Sequence, residues 1–228
     1  MRPLKLLSSM ATRELLAELS ARYERSHGKP VVTEAAGGVD VAKRVQGGEP
    51  VDVVVLAGNV IDKLISEGKL LRASRLDLVK SGVAIAVRAG AARPHITTED
   101  EVKQAVKAAK SLCYSTGPSG VHLEKTFERW GILAEIRARI LVAPPGIPVG
   151  TLLARGEAEL GFQQLSELKN VAGVEVLGPL PDAIQTITIF SGGVGAHSSE
   201  PQAAQALLEY LAAPEATAIK RSFGMEPA

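Results

Sequence analysis

A single cysteine, Cys113, in 228 residues leaves no intrachain disulfide to form and no multi-cysteine metal site to build. It falls in an apolar stretch and reads as a small core residue. Histidine is also sparse, and no metal-ligand spacing joins His27, His95, His122 and His197, so neither a metal nor any other cofactor is expected. Aromatic residues make up 4% of the chain, and 26 Lys+Arg against 25 Asp+Glu leave a formal charge of +1. The basic residues do not run together, and no basic helix pair is present. These absences argue against a nucleic-acid surface, an acidic-membrane surface and a DNA-binding regulator. No apolar run approaches the roughly 20 residues that a bilayer span needs, so direct membrane insertion is not expected. The first residues enter strand and helix pattern almost at once, without a secretory apolar region and cleavage site. The chain as given is therefore expected to be cytoplasmic, or periplasmic if it is a mature form recloned behind a new methionine.

What the chain does have is 46% hydrophobic residues, enough for a sizeable core in one large domain or two small ones. Strand patterns are expected over 4–7, 31–35, 51–56, 83–87, 112–114, 139–142, 160–162, 174–177 and 184–190. The apolar, β-branched run over 51–56 suits a strand buried on both faces. Helical spacing appears over 13–25, around Val41 and Val45, and over 61–67, 98–109, 149–155, 203–212 and 214–221, with another helix from Val121 onward. A turn is expected over 144–148, and Gly192-Gly193 are expected to follow the last strand. Strands alternating with helices predict an α/β class, with mostly parallel sheets flanked by helices.

The stretch 111–132, SLCYSTGPSGVHLEKTFERWGI, organises the functional reading. A short strand ends at Tyr114, small polar residues follow, and a helix opens. The first turn of a helix leaves about four N–H groups without intrahelical partners and carries roughly half a positive charge. Hydroxyls and glycines there admit an anion closely, whereas the plainer alternative is that Ser119 only caps the helix. Two further loops share the pattern: Ser8, Ser9, Met10, Ala11 and Thr12 after the first strand, and Gly37, Gly38 and Asp40 after the second. Ligands of parallel sheets bind at the carboxyl ends of strands, so convergence of Ser115, Ser119, Gly120 and Val121 with these loops would make a pocket for a small anion.

The segments LKLLSSMATRELLAELSARYE, RVQGGEPVDVVVLAG, LLARGEAELGFQQLSEL and FSGGVGAHSSEPQAAQALLEYLAAPEA, in this order, resemble the molybdate-binding-protein-like family of solute-binding proteins. That resemblance implies the type II periplasmic-binding fold, with lobe 1 from 1–82 and 190–228, lobe 2 from 83–189, and two crossover strands. It also implies a cleft for a small oxyanion or carboxylate and, if the chain is exported, a membrane transporter as partner.

The chain departs from that family at two positions. Members that bind molybdate commonly present a serine after the second strand, where this chain has Gly37-Gly38, and a tyrosine in the second lobe, where it has Gln163-Gln164. Glutamine donates and accepts, which suits a carboxylate as well as an oxyanion. The YS-x-x-x-SG loop and the GFQQ-x-SEL segment are similar to an aconitate isomerase-like branch, whose reaction moves a proton allylically between cis and trans tricarboxylates. For that chemistry the acid/base candidates are His122, Tyr114 and Glu34, each with a plainer reading as a solvated or capping residue. Arg88, at the end of the 83–87 strand, is expected either to grip a carboxylate in bidentate fashion or to lie exposed at a strand end. Two functions stay open, an anion-binding protein and an isomerase.

Overall fold

The computed structural model describes residues 2–144 and 146–228, so Pro145 of the expected turn lies outside the described residues. The chain divides into two units, Met1–Ser81 with Thr188–Ala228 and Gly82–Ile187.

The first unit follows from side chains alternating along its strands. In β1 (Leu4–Ser9), Leu4 and Leu6 face one side and Leu7 the other. The helix α1 (Arg13–His27) covers the first side with Leu15, Leu16, Leu19 and Tyr23. It stops at Gly28, whose φ of 66° is the left-handed value of a helix-ending glycine. β2 (Val31–Ala36) and α2 (Gly38–Gln46) come next, then β3 (Val53–Ala57) and α3 (Gly58–Ser66). Val41 and Val45 of α2 pack with Ile61 and Leu64 of α3 on the second side, against Leu7, Val54 and Leu56. β1 pairs in parallel with β2 and β3. All three strands therefore end at one edge of the sheet.

The chain passes into the second unit along β4 (Leu76–Arg88), one strand where the sequence suggested only 83–87. There α4 (Glu99–Ala108) leads to β5 (Leu112–Ser115), α5 (Pro118–Arg129) and α6 (Leu133–Ile136), a short turn of helix with no counterpart in the sequence reading. β6 (Ile140–Ala143), α7 (Val149–Ala154), β7 (Leu160–Gln164), α8 (Leu165–Leu168) and β8 (Val174–Pro179) complete it. β5 is parallel to β6 and β7, while β4 runs antiparallel to β7 and β8, so the sheet is mixed. α4 and α5 cover one face, and α7 and α8 the other. Small residues on that second face (Ala84, Ala86, Cys113) let α7 lie close. A carbon added at Gly161 would stand 2.7 Å from Leu153 Cδ1 and 2.8 Å from Val149 Cγ1.

The chain returns through β9 (Ile187–Val194), antiparallel to β3, then α9 (Pro201–Ala212), α10 (Thr217–Ser222) and β10 (Glu226–Pro227). Gly192-Gly193 lie inside β9 instead of after it. Leu208 of α9 and Leu70 occupy the space where their side chains would project. Each fully buried leucine of these cores is worth about 1.5–3 kcal/mol. No helix among the described residues is long and apolar enough to cross a membrane.

Candidate functional site

In the first unit the loops after β1 and β2 meet. Ser8 sits in register with Ala35 on one side and Val55 on the other. Met10, Ala11 and Thr12 then make a single tight turn before α1. Thr12 is fully buried, with its hydroxyl donated to the Ser9 carbonyl at 3.2 Å and 3.5 Å from the Ser9 hydroxyl. Gly37 precedes α2 and Gly38 opens it. A carbon added at Gly38 would stand 4.0 Å from Ser9 Cβ and 3.8 Å from Leu56 Cδ2, an ordinary contact distance. Ser8, Ser9, Gly37 and Gly38 thus line one patch of backbone, and neither α1 nor α2 receives a side-chain cap. The Arg13 N–H at the start of α1 is taken by the Met10 carbonyl, whereas the first turn of α2 follows an extended residue and offers its N–H groups to an anion.

In the second unit the loop after β5 has the same construction. Gly117 precedes α5, and Pro118, which has no N–H to lose, takes its first position. Gly120 is forced: a carbon there would run into the carbonyl of Ser115, so the first turn of the helix is held against the end of the strand. Ser119 does not cap α5, contrary to the plainer reading. It is 2% exposed, as Ser8 in the first unit is 1% exposed, and neither hydroxyl has a partner among the described residues. Val121, the next residue but one, is half exposed at 50%.

The three acid/base candidates are placed differently. The Tyr114 hydroxyl donates to Glu124 at 3.1 Å, and burial together with that carboxylate pushes its pKa upward, away from use at neutral pH. Glu34 is exposed and bonded to Arg44 at 2.6 Å, which holds its carboxyl below the usual range and makes it a weaker base. His122 Nε2 lies 2.8 Å from the Ile184 carbonyl. A carbonyl only accepts, so Nε2 carries the hydrogen and Nδ1 of the neutral ring is left as an acceptor. His122 is the member of the trio with an uncommitted acid/base atom.

Adjacent strand residues project to opposite faces, so Gln163 and Gln164 do not act as a pair. Gln163 is buried and braces the fold, accepting from the Val149 N–H at 3.0 Å and donating to Glu167 at 2.7 Å. Gln164 is buried immediately before α8 and has partners of its own. Arg88 does not join the loops. Because β4 is antiparallel to β7, Val83 lies opposite Gln164, and Arg88 is five residues further on, about 16 Å at 3.3 Å per residue. Strand direction is not legible in the residue pattern, and direction decides which end of β4 approaches the loops.

Two features escaped the sequence reading. Ser166, in the first turn of α8, has a buried hydroxyl without a partner among the described residues. The strand-to-helix junction in GFQQLSEL was the available signal. At the end of β3, Gly58 lies under Arg75, whose guanidinium is held by Asp62 at 2.7 Å and Asp77 at 2.9 Å, while Ser191 donates to Asp77 at 2.5 Å. Those residues are scattered over 130 positions, and nothing in their spacing announces them. Among the described residues no group of three or more His, Cys, Asp or Glu is arranged to hold a metal ion.

Residues 4–226 match the family model described as bacterial extracellular solute-binding protein. An aconitate isomerase from a Pseudomonas species is 39% identical over 230 residues, covering 98% of this chain and 87% of that protein. The solved periplasmic molybdate-binding protein of Azotobacter vinelandii superposes with a TM-score of 0.81 at 21% identity, covering 97% of this chain and 98% of that one. A structure titled as the tungstate ABC transporter from Geobacter sulfurreducens superposes with a TM-score of 0.75 at 16% identity, over 97% and 98% of the two chains. With its α/β units and a match over nearly its whole length, the chain belongs to the bacterial extracellular solute-binding proteins.

Proposed function

We propose that the protein binds a small anion, and that di- and tricarboxylates suit it better than tetrahedral oxyanions. The carrying observation is the pair Ser8 and Ser119, buried residues whose hydroxyls bond no protein group among the described residues, each beside a helix start that no side chain caps. Each hydroxyl keeps an opening to solvent and can donate to an anionic acceptor, a charge-assisted hydrogen bond worth about 1.5–3 kcal/mol. Oriented N–H groups supply the positive field without cationic side chains. Relatives named for molybdate and tungstate support an anion, while Gly38 in place of a serine removes one hydroxyl from a tetrahedral shell. In the binding-protein reading the partner is a membrane transporter, which requires an exported form of the chain.

A second reading, isomerisation of aconitate, is favoured by the relative 39% identical over 98% of the chain and by the open Nδ1 of His122. In that reaction a base takes a proton from the methylene carbon of cis-aconitate, the double bond migrates, and the proton returns to the former vinylic carbon. The charge that develops on the carboxylates in between is what aligned N–H groups stabilise. One experiment separates the readings: proton NMR of cis-aconitate with the protein in deuterium oxide. Formation of trans-aconitate with deuterium uptake above a heat-treated control, lost in Ser119→Ala and His122→Ala, makes the protein an isomerase. Absence of both conversion and exchange leaves a binding protein, to be titrated with small polycarboxylates, molybdate, tungstate and sulfate. If none of these binds, the anion reading fails.

A further inference from the structure

Arg88, excluded from the loop edge by the register of β4, stands at a different feature of the second unit. A cavity of about 500 Å³ opens between the end of β4, the end of α4 and the 156–160 loop. That is within the roughly 300–1,000 Å³ typical of small-molecule sites. Its floor is apolar and buried, made by Val87, Ala105, Ala109, Ala158 and Leu160. At its rim lie two charged side chains. Glu159 is engaged, accepting the Lys110 N–H at 2.7 Å and so tying the 156–160 loop to the end of α4. Arg88 has no ion pair or side-chain hydrogen bond among the described residues. Its guanidinium lies over Gly156, where an added carbon would stand 3.2 Å away, so no side chain screens it there.

We propose that this cavity is a second ligand site, separate from the anion loops, for a small aliphatic monocarboxylate. The hydrocarbon chain rests on the alanine-rich floor, and the carboxylate takes a bidentate pair of hydrogen bonds from Arg88. Glu159 repels a second carboxylate, which sets this ligand apart from the polycarboxylates proposed for the loops.

The test is a ¹H–¹⁵N NMR titration of the intact protein with sodium hexanoate, alongside hexan-1-ol and hexylamine. The expected result is saturable shifts at Ala89, Gly90, Gly156 and Leu160, with affinity lowered about tenfold or more in Arg88→Gln. Both uncharged and cationic analogues should bind at least tenfold more weakly, and Ala108→Phe, which fills the cavity from its exposed side, should abolish the shifts. The proposal is overturned by absence of saturable shifts, by hexanol binding as tightly as hexanoate, by unchanged affinity in Arg88→Gln, or by shifts centred on 37–40 or 115–121.

Discussion

At the scale of single residues, the most informative position is Gly38. Its backbone needs no special conformation, and an added side chain meets only Leu56 and Ser9 at ordinary distance, so a serine fits. Gly38→Ser adds a donor beside Ser9 and should shift preference toward tetrahedral anions. The expected outcome is a gain of about fivefold or more in molybdate affinity relative to trans-aconitate, read by calorimetry, which corresponds to about 1 kcal/mol for one added hydrogen bond. An unchanged ratio would remove Gly38 from the site. Gly120 tolerates nothing of the kind: Gly120→Ala drives a carbon into the Ser115 carbonyl and should cost about 2–4 kcal/mol in urea unfolding, by displacing the start of α5. Cys113 illustrates the opposite condition, a reactive group silenced by its surroundings. Burial, with a smaller contribution from the charge of Glu157, pushes its thiol up to about 12. A disulfide reagent at about pH 8 should label it only after denaturation, because the thiolate is the nucleophile.

At the scale of elements, β1, β2, α2 and the turn before β3 are tied by a charged cluster. Glu49 takes Arg44 at 2.6 and 2.7 Å and Lys5 at 2.6 Å, and Arg44 also holds Glu34. The Arg44 and Lys5 hydrogen bonds lower the Glu49 pKa from 4.5 to about 2. With the folded value below the unfolded one, the contribution is fully present above about pH 4.5 and is lost as pH falls toward about 2. Glu49→Gln should therefore be less stable at about pH 6 and should lose less stability between about pH 5 and 2.5, in urea midpoints taken at each pH. A parallel fall in both proteins would assign acid sensitivity elsewhere. The same elements mark what the sequence disclosed. The short apolar runs in LKLLSS and VVVLA, helical spacing in RELLAELSARYE and the glycine after His27 carry the α/β class and the strand-loop-helix junctions. Pairing direction is not written locally: the strand end at Arg88 is legible, but not that this end lies away from the loop after β5, which leaves Arg88 an exposed strand-end residue. Gly192-Gly193 look like a loop until Leu208 and Leu70 are seen to fill the space beside them. Nor does spacing reveal that Tyr114 turns to Glu124 and Gln163 to Val149, since those contacts come from tertiary packing.

At the scale of the whole molecule, a near-zero net charge means that the anion recognition proposed above draws on oriented local groups instead of a long-range field. Each unit has its own pair of apolar cores on the two faces of its strands, so its loops are held by a frame that the ligand need not build. Binding to the folded form alone raises stability by about 2.7 kcal/mol at a hundredfold excess over Kd. For a chain of this size that corresponds to a rise of about 5–11 °C in Tm, at roughly 2–4 °C per kcal/mol. Trans-aconitate should produce this rise with a logarithmic dependence on concentration, and Ser8→Ala and Ser119→Ala should each diminish it. Hydrogen exchange locates the effect: protection is expected at 8–12, 37–40 and 115–121, while β1 and β5 change only by the global increment. A rise in Tm with protection confined to residues around Arg88 and Gly156 would move the ligand to the alanine-lined cavity and leave the helix starts without one.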